Sequence, residues 1–570
     1  ALSMAVTRPF TPGATGSEEE DGEDAAAGVA AGVATAGAAA SSAGLGLSTV
    51  NHMPASSTTA TRAICMGRLT WSTPVLSTGT PPKLSRSRRR VDDRRLHSAP
   101  NVPDERFAEH LSHPVGRGHA PAGAYAGAAG GAACGDLVTI RLTVAGETVA
   151  DAGFEASGCG AAQAAGSAAV ELVRGASIFD AARVGTAAIS GALGGLSVGK
   201  LHAADLASDA LHQALGAAVA HTAAATPSGG RTLIAMSGGV DSTVAAVLLA
   251  GTHDEVVAVT LELWRDPEND AEASCCSASA VRSARAIAHR MGLPHFTLDL
   301  RAGFRAGVVE PWLAGHAEGL TPNPCVRCNG EVRLDAMVDF ADRLGAATLA
   351  TGHYARRAPD GLLRAAADDA KDQTYMLAAL SRATLQRLRF PLGELTKPEV
   401  RALAREHELP VASKPDSQDL CFLAGTGRER FLARHGGLRE RPGAIVDRAG
   451  RELGRHRGHF HYTVGQRRGL EVAATEALYV LRTDARSNTV TVGPRTALDV
   501  DRVTLRGVRL HRDAAEVDGV RLRYHARILP CRLQDDGTAV LGEPFSAPAP
   551  GQTAVLLAGD VVIGCATIAA

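Results

Sequence analysis

Aromatic residues supply only 4% of the 570 residues. With so few large rings, and with Ala and Gly abundant, the scarcity points to tight packing of small side chains or to a coding bias. Excess charge is missing too: the formal net charge is −1, so any contact with nucleic acid must come from local basic patches. No uncharged apolar run reaches the roughly 18 residues of a transmembrane helix, so no membrane role is expected. A basic-then-apolar leader is also missing. The first apolar-looking tract, Ala25 to Ala40, is Ala, Gly and Val, and it follows the acidic cluster Glu18 to Asp24. The ten cysteines lack the dense spacing of a secreted disulfide scaffold, which favours a reducing cytoplasm with thiol or metal chemistry. One further absence bears on nucleotide chemistry. No lysine follows the pair Gly238-Gly239, so the ordinary P-loop of nucleoside triphosphatases is excluded.

What stands there instead is Thr232-Leu-Ile-Ala-Met-Ser-Gly-Gly-Val-Asp-Ser-Thr243. An apolar, β-branched run stops at Ser237-Gly238-Gly239, and an Ala/Leu-rich helical run begins directly after it. The glycines let backbone approach a ligand, and the first amides of the helix point toward it. Ser237, Ser242 and Thr243 add hydroxyl groups, so the turn suits a pyrophosphate. It resembles the loop of enzymes that cleave ATP to AMP and pyrophosphate.

Around this stretch the chain divides by composition. Residues 1–103 read as a disordered, low-complexity tail with a basic run from Lys83 to Arg95. Residues 104–220 read as a compact α+β unit. Strands are expected over 136–149 and 152–156, and helices over 161–174 and 204–218. A polar Gly/Pro linker, 221–230, follows. Residues 231–429 alternate strands and helices, the rhythm of an open parallel α/β sheet with its ligand at the carboxyl ends of strands. From 430 short alternating strands take over, including 459–464 and 520–528. They suggest a central β domain over 430–500 and a C-terminal β-barrel over 501–570.

The first compact unit carries Ala132-Ala-Cys-Gly-Asp136, Ser157-Gly-Cys-Gly160 and Val198-Gly-Lys-Leu-His202. With these motifs it resembles the U-type iron–sulfur scaffolds (NifU/IscU/SufU). The resemblance places metal ligands at Cys134, Asp136, Cys159 and His202. The family has a further cysteine after the histidine, where this chain has Ala203. That departure counts against tight cluster assembly and leaves metal binding, sulfur relay or docking as roles for the unit.

Three stretches concentrate thiols and base. Thr321-Pro-Asn-Pro-Cys-Val-Arg-Cys-Asn329 is a proline-stiffened loop with a C-x-x-C pair, and Ser417-Gln-Asp-Leu-Cys-Phe-Leu423 presents Cys421. His459-Phe-His-Tyr-Thr-Val-Gly-Gln-Arg-Arg-Gly-Leu470 reads as a strand followed by a basic turn. Together with the glycine turn, Ala350-Thr-Gly-His-Tyr354 and Lys371-Asp-Gln-Thr-Tyr375, they resemble the bacterial tRNA-specific 2-thiouridylases from about residue 231 to 570. The resemblance implies a fold of the adenine nucleotide alpha hydrolase type. It also implies an ATP site at Ala235, Met236, Ser237, Gly238, Gly239, Val240, Asp241 and Ser242, with Leu261 and Gly352 on the adenine side. Asn323, Pro324 and Cys325 go to the target base. His353, Lys371, Asp372, Gln373, Arg523, Tyr524 and Gln552 go to other parts of the tRNA. Arg467-Arg468 and the arginines at 451, 455 and 457 would add a basic strip.

The implied chemistry explains these residue types. The C2 oxygen of a uridine is a poor leaving group until AMP is attached to it, with Mg²⁺ offsetting the charge of the pyrophosphate. Sulfur then enters as a nucleophile. In the family the cysteine matching Cys421 carries a persulfide and that matching Cys328 is the nucleophile, with Arg327 as a nearby positive charge. Cys325 stands where many relatives have aspartate. Cys325, Cys328 and Cys421 would therefore also suit a [4Fe–4S] cluster held at three irons. Sulfur would come from a cysteine desulfurase or a relay protein. A small-molecule adenylating synthetase would have no use for Cys328 and Cys421, and a carrier of sulfur or clusters would yield no modified nucleoside. The pair Cys275-Cys276, Cys65, Cys531 and Cys565 receive no role.

Overall fold

The computed structural model describes residues 105–131, 135–252, 254–266, 278–416 and 420–570. The expected tail over 1–103, with its basic run and Cys65, lies outside the described residues. So do Cys134, the pair Cys275-Cys276 and Ser417 to Asp419.

The first unit is a three-stranded antiparallel sheet, Tyr125–Gly130, Leu137–Ala145 and Thr148–Ser157, with the second strand in the middle. Period-two alternation buries Val138, Ile140 and Leu142 on one face. Helices Gly160–Val173 and Leu201–Ala220 cover that face. Both are rich in alanine because they lie very close to the sheet; a Cβ on Gly127 would collide with the carbonyl of Ala210 in the longer helix. The shortage of aromatic residues is answered here by close approach of backbone.

Five strands form the parallel sheet, in the order Leu388–Arg389, Ala346–Ala350, Ser228–Ala235, Glu255–Glu262, His295–Asp299. Ser228–Ala235 is central, and the chain crosses to its two sides in turn. The crevice at its carboxyl end is therefore a topological switch point, the ordinary ligand position in such sheets.

His295–Asp299 is an edge strand, and the first unit covers it. The His295 amide donates to Ala182 O at 3.0 Å, and His212 Nδ1 lies 2.8 Å from His295 O. Gly216 lies against the strand so closely that a Cβ would meet the Thr297 carbonyl. A buried ion pair, Arg285 with Asp209, and the ring of Phe179 edge-on to Phe296 at 6.3 Å complete the junction. An exposed edge would invite pairing with another chain. Here the fused unit satisfies it.

The central β domain is a four-stranded sheet. In the last domain six strands close into a barrel, because Asp499–Leu510 pairs with Thr538–Ser546 on one side and with Val561–Ile568 on the other. A hairpin of the α/β domain, Arg356–Arg357 and Leu363–Arg364, adds to Val561–Ile568.

Three local expectations need correction. His459–His461 is a 3₁₀ turn rather than a strand, since His459 is drawn inward by Asn488 and by Ala317 O at 3.1 Å. The strand expected over 520–528 ends at Arg521, and His525 takes a left-handed φ of 59°. The C-x-x-C loop is a short helix, Pro324–Cys328, because the Asn323 side chain accepts from the amides of Cys325 and Val326 at 3.1 and 3.2 Å.

Candidate active site

The glycine turn sits at the switch point. Gly238 has φ 67°, and a Cβ there would lie 3.1 Å from Ala280 O. Ser242 Oγ accepts from the Ser237 amide at 3.1 Å, and the two hydroxyls lie 3.2 Å apart. Thr243 Oγ1 donates back to Gly239 O at 2.8 Å. These bonds hold the turn in shape ahead of helix Val240–Ala250. Gly352 presses on the same helix start, where a Cβ would come 2.7 Å from the Ser242 amide. Leu261, 9% exposed, and Met236, 2% exposed, are walls of the neighbouring core.

Ion pairs run outward from this turn. Lys397 Nζ bonds both oxygens of Asp241, at 2.7 and 2.8 Å, and Tyr354 Oη donates to the same carboxylate at 2.8 Å. The same lysine reaches Asp416 at 2.9 Å, and Lys371 pairs with Asp416 at 2.9 Å. Lys414 Nζ donates to Gly238 O at 3.0 Å. Burial works to raise the Asp416 carboxyl, but hydrogen bonds from Lys371 and Lys397 outweigh it and hold the group at about 2. Burial, then the charge of Asp241, pushes the Tyr354 phenol up, so it stays a donor. Lys397, Lys414, Asp416 and the hydroxyl of Tyr354 escaped the sequence reading. The available signal was a pair of lysines, Lys397 and Lys414 of Lys414-Pro-Asp416, in a lysine-poor chain just before the Cys421 segment.

The segment leading to the C-x-x-C helix is held by both β domains. Thr483 Oγ1 donates to Gly319 O at 2.7 Å, and Gln552 Nε2 donates to Thr321 O at 2.6 Å. The Thr321 amide donates to Pro550 O at 2.8 Å. Cys325 and Cys328 then lie one helical turn apart, half-buried and 8% exposed. The Arg327 guanidinium bonds Gly307 O at 2.6 Å and pairs with Glu331 at 3.3 Å. Gly307 lies between Phe304 and Trp312, whose rings pack against Phe422 at 5.9 and 5.2 Å. Both cysteine-bearing segments therefore dock on the same helical body.

The residues expected to meet RNA separate into two groups. His353 is bonded by Arg333 at 3.1 Å and Thr351 at 2.8 Å; burial, with Arg333, drives its pKa down to about 3. Asp372 is 4% exposed, and its carboxylate takes bonds from Thr374 and from Arg521 of the barrel, both at 2.7 Å. Gln373 Oε1 accepts from the Tyr354 amide at 3.0 Å. Those three shape the site from within. Arg523 is exposed, and Tyr524 packs its ring 5.9 Å from that of Tyr375. In the basic strip, Arg451, Arg455 and Arg457 pair with Asp447, Glu452 and Glu440, whereas Arg467 and Arg468 are exposed.

The first unit holds a separate donor group. Donor atoms of Asp136, Cys159 and His202 lie within 4.8 Å of one another. His202 Nδ1 is 2.9 Å from Gly199 O and its Nε2 is 3.0 Å from Asp136 Oδ2. A ring donating through Nδ1 turns a lone pair toward the carboxylate, an arrangement that a cation or a proton must relieve. The Cys159 amide, first, and then its thiol hold Asp136 below the usual carboxylate range. Ala203, where the family has a cysteine, is fully buried beside His202. Among the described residues the group offers one imidazole, one carboxylate and one thiol, donors that suit a divalent ion; Cys134, expected to join them, lies outside the described residues.

Comparison with known proteins divides the chain in the same places. Residues 104–224 match the NifU-like N terminal domain, and 230–425 match the tRNA methyl transferase HUP domain. Residues 429–494 match the tRNA methyl transferase PRC-barrel domain, and 505–568 the Aminomethyltransferase beta-barrel domain. A "Bifunctional protein NifU/MnmA" of Rubrobacter xylanophilus is 44% identical over 80% of this chain and 96% of its own. The "tRNA-specific 2-thiouridylase MnmA" of Xanthobacter autotrophicus is 43% identical over 58% of this chain and 89% of its own. That of Salinispora tropica is 44% identical over 60% and 99%. Among the described residues no helix is long and apolar enough to cross a membrane. With its scaffold-like unit packed on an ATP-type α/β domain and two β domains behind, the chain belongs to the bifunctional NifU/MnmA family.

Proposed function

We propose that the protein is an ATP-dependent tRNA-uridine 2-sulfurtransferase that converts a wobble uridine to 2-thiouridine in the cytoplasm. The observation that carries this reading is the run of ion pairs from Asp241 through Lys397 to Asp416, which ties to the phosphate turn the chain that runs on, five residues later (421 − 416), to Cys421. Adenylation followed by sulfur transfer requires a nucleotide cradle and a thiol in one site, and this tie supports that pairing.

The steps follow from these groups. ATP lays its phosphates on the turn Ala235 to Ser242, against the amides of the following helix. The uridine C2 oxygen attacks the α-phosphorus and pyrophosphate leaves. Lys414, fixed to the Gly238 carbonyl, and Lys397 place positive charge where negative charge accumulates. Both oxygens of Asp241 accept from Lys397 and keep lone pairs that would hold Mg²⁺ at the turn, where the ion would offset the pyrophosphate charge. Cys421 arrives charged with sulfane sulfur from a cysteine desulfurase or relay protein. The Cys328 thiolate attacks the Cys421 sulfur, the S–S bond of the persulfide breaks, and hydrosulfide is released with formation of a Cys328–Cys421 disulfide. Hydrosulfide adds to C2 and AMP departs; external thiols reduce the disulfide for the next turnover.

A [4Fe–4S] cluster on Cys325, Cys328 and Cys421 would need all three sulfurs to face one space. The persulfide route uses no cluster, and iron and acid-labile sulfide analysis of anaerobically purified protein separates the two. In the first unit Asp136, Cys159 and His202 would hold a divalent ion that polarises a bound thiol. Nucleoside mass spectrometry of tRNA incubated with protein, ATP and a sulfur source tests the main reading. A 2-thiouridine signal that disappears with Cys421→Ser is expected; none from the intact protein would sink it.

A further inference from the structure

The helix Ala278–Arg290 has two faces, and they answer to different domains. At about 100° per residue, Ala280, Ala284 and Ile287 fall on one side and Arg282, Arg285 and His289 on the other. The apolar side carries the phosphate turn. A Cβ on Gly238 would lie 3.1 Å from Ala280 O, 3.4 Å from the Ala284 amide and 3.6 Å from Ala284 Cβ. Ala284 and Ile287 share one core with Met236, Val240 and Val244, which flank the turn before and after it.

The charged side meets the first unit. Arg285 is 4% exposed, and its guanidinium bonds one oxygen of Asp209, on the helix Leu201–Ala220. Arg282 Nε lies 3.5 Å from the other oxygen of the same carboxylate. His289 Nε2 is 3.0 Å from Ala182 O, and Gly185 lies so close that a Cβ would strike the His289 ring. Asp209 also faces the end of the strand Glu255–Glu262, one residue past Leu261. Burial first, then the charges of Asp299 and Asp209, work to raise the Glu262 carboxyl.

This placement has an energetic consequence. A guanidinium at such depth is tolerated with its carboxylate in place, because an unpaired buried charge is costly. The carboxylate comes from outside the α/β domain. Without it Arg285 must turn toward water, and the helix that carries it must shift or rotate. The turn has little slack to absorb that movement, since a methyl group on Gly238 would already crowd the helix backbone.

We propose that the first unit is part of the nucleotide site: through Asp209 it fixes Arg285, and through Arg285 the helix on which the phosphate turn rests. Asp209 and Arg285 are positioning residues that act through the turn. The proposal rests on the reading of Ala235 to Ser242 as an ATP cradle. It goes beyond that reading by giving the scaffold-like unit a role in adenylation, separate from any metal or sulfur it handles at Cys159.

The test uses the full chain, with ATP and an anticodon stem-loop RNA titrated separately by calorimetry. Asp209→Leu strands the guanidinium and should weaken ATP binding roughly 2- to 30-fold, the range for residues that act on a site without touching its ligand. Stem-loop binding should be unchanged. Adding Arg285→Met removes the stranded charge, and an apolar pair in place of the ion pair should bring ATP affinity back toward wild type. A residue that served stability alone would give no such rescue. Asp209→Asn, which keeps the shape of the side chain, should show the same effect in smaller measure and serves where the leucine variant does not fold. Wild-type ATP affinity in both Asp209 variants overturns the proposal. So does a loss shared equally by ATP and RNA, or one that Arg285→Met leaves unrelieved. Thionucleoside is measured on the same samples. Formation of 2-thiouridine with an ATP affinity indifferent to Asp209 removes the positioning role and keeps the sulfurtransferase reading; Asp209-dependent ATP binding without 2-thiouridine does the reverse.

Discussion

Lys397 binds Asp241 through both carboxylate oxygens, at 2.7 and 2.8 Å, from a position only 8% exposed. A lysine this deep is stable only with its partners in place. Removing it strands two carboxylates, Asp241 and Asp416, beside the phosphate turn. Lys397→Met should lower ATP-dependent pyrophosphate release at least about 100-fold. It should also destabilise the protein by about 2 kcal/mol, below the usual cost of breaking a buried pair because both partners are partly exposed. Stem-loop binding should persist. Pyrophosphate assay, urea unfolding and RNA titration read the three effects.

Adenylation and sulfur transfer should separate at the cysteines. Cys328→Ser and Cys421→Ser should each cut 2-thiouridine formation at least about 1,000-fold, because serine has no usable thiolate. Both should still release pyrophosphate. Iron and acid-labile sulfide analysis after anaerobic purification provides the complementary check. The route proposed here expects full activity in protein free of iron and of acid-labile sulfide, given a sulfur donor.

Gly216 permits the helix Leu201–Ala220 to lie on the edge strand of the parallel sheet. Gly216→Leu should destabilise that contact by about 1–3 kcal/mol, the usual cost of overpacking. Calorimetry should then show the first unit melting ahead of the remainder. A single unshifted transition would count against the described docking.

The same junction should weaken in acid. His212, His289 and His295 lie with ring centroids 5.3 to 6.3 Å apart. Burial, with Arg285 nearby, holds His212 and His295 well below the usual histidine range and His289 at about 4. The unfolded chain takes up these protons near pH 6.5, while the folded rings resist them. Stability is therefore complete above about pH 6.5 and falls as the pH drops toward 4. Thermal midpoints across that range should decline less in His289→Gln than in wild type.

Metal should bind the first unit through Cys159. Cobalt added to the full chain should give thiolate charge-transfer absorption that disappears with Cys159→Ser and weakens with His202→Ala. Thiolation supported by free sulfide should be unaffected by either change.

Much of this was legible in the sequence where chemistry imposes local pattern. Strand, glycine turn and helix around Ser237 followed from apolar runs and backbone freedom, and the β-α-β rhythm announced the parallel sheet. What failed to show were partners brought together only by folding. Lys397 reads in isolation as the first residue of a helix with a Thr396/Glu399 capping box, and nothing local points it at Asp241. Asp372 stands in a motif that resembles an RNA contact, yet its carboxylate is enclosed by Thr374 and Arg521. His459-Phe460-His461 alternates like a strand, but long-range bonds to Asn488 and Ala317 fold it into a turn.

The hold of the β domains on the segment before Asn323 has a consequence for truncation. Gln552 keeps its grip on Thr321 only because the final strand returns to it: the Ile568 amide donates to Gln552 O at 2.8 Å and the Gly551 amide to Ile568 O at 2.9 Å. Deleting residues 566–570, none with a reactive group, would unhook the segment that leads to Asn323 and the C-x-x-C helix. A change more than two hundred residues away in sequence would thus reach the cysteines through backbone alone.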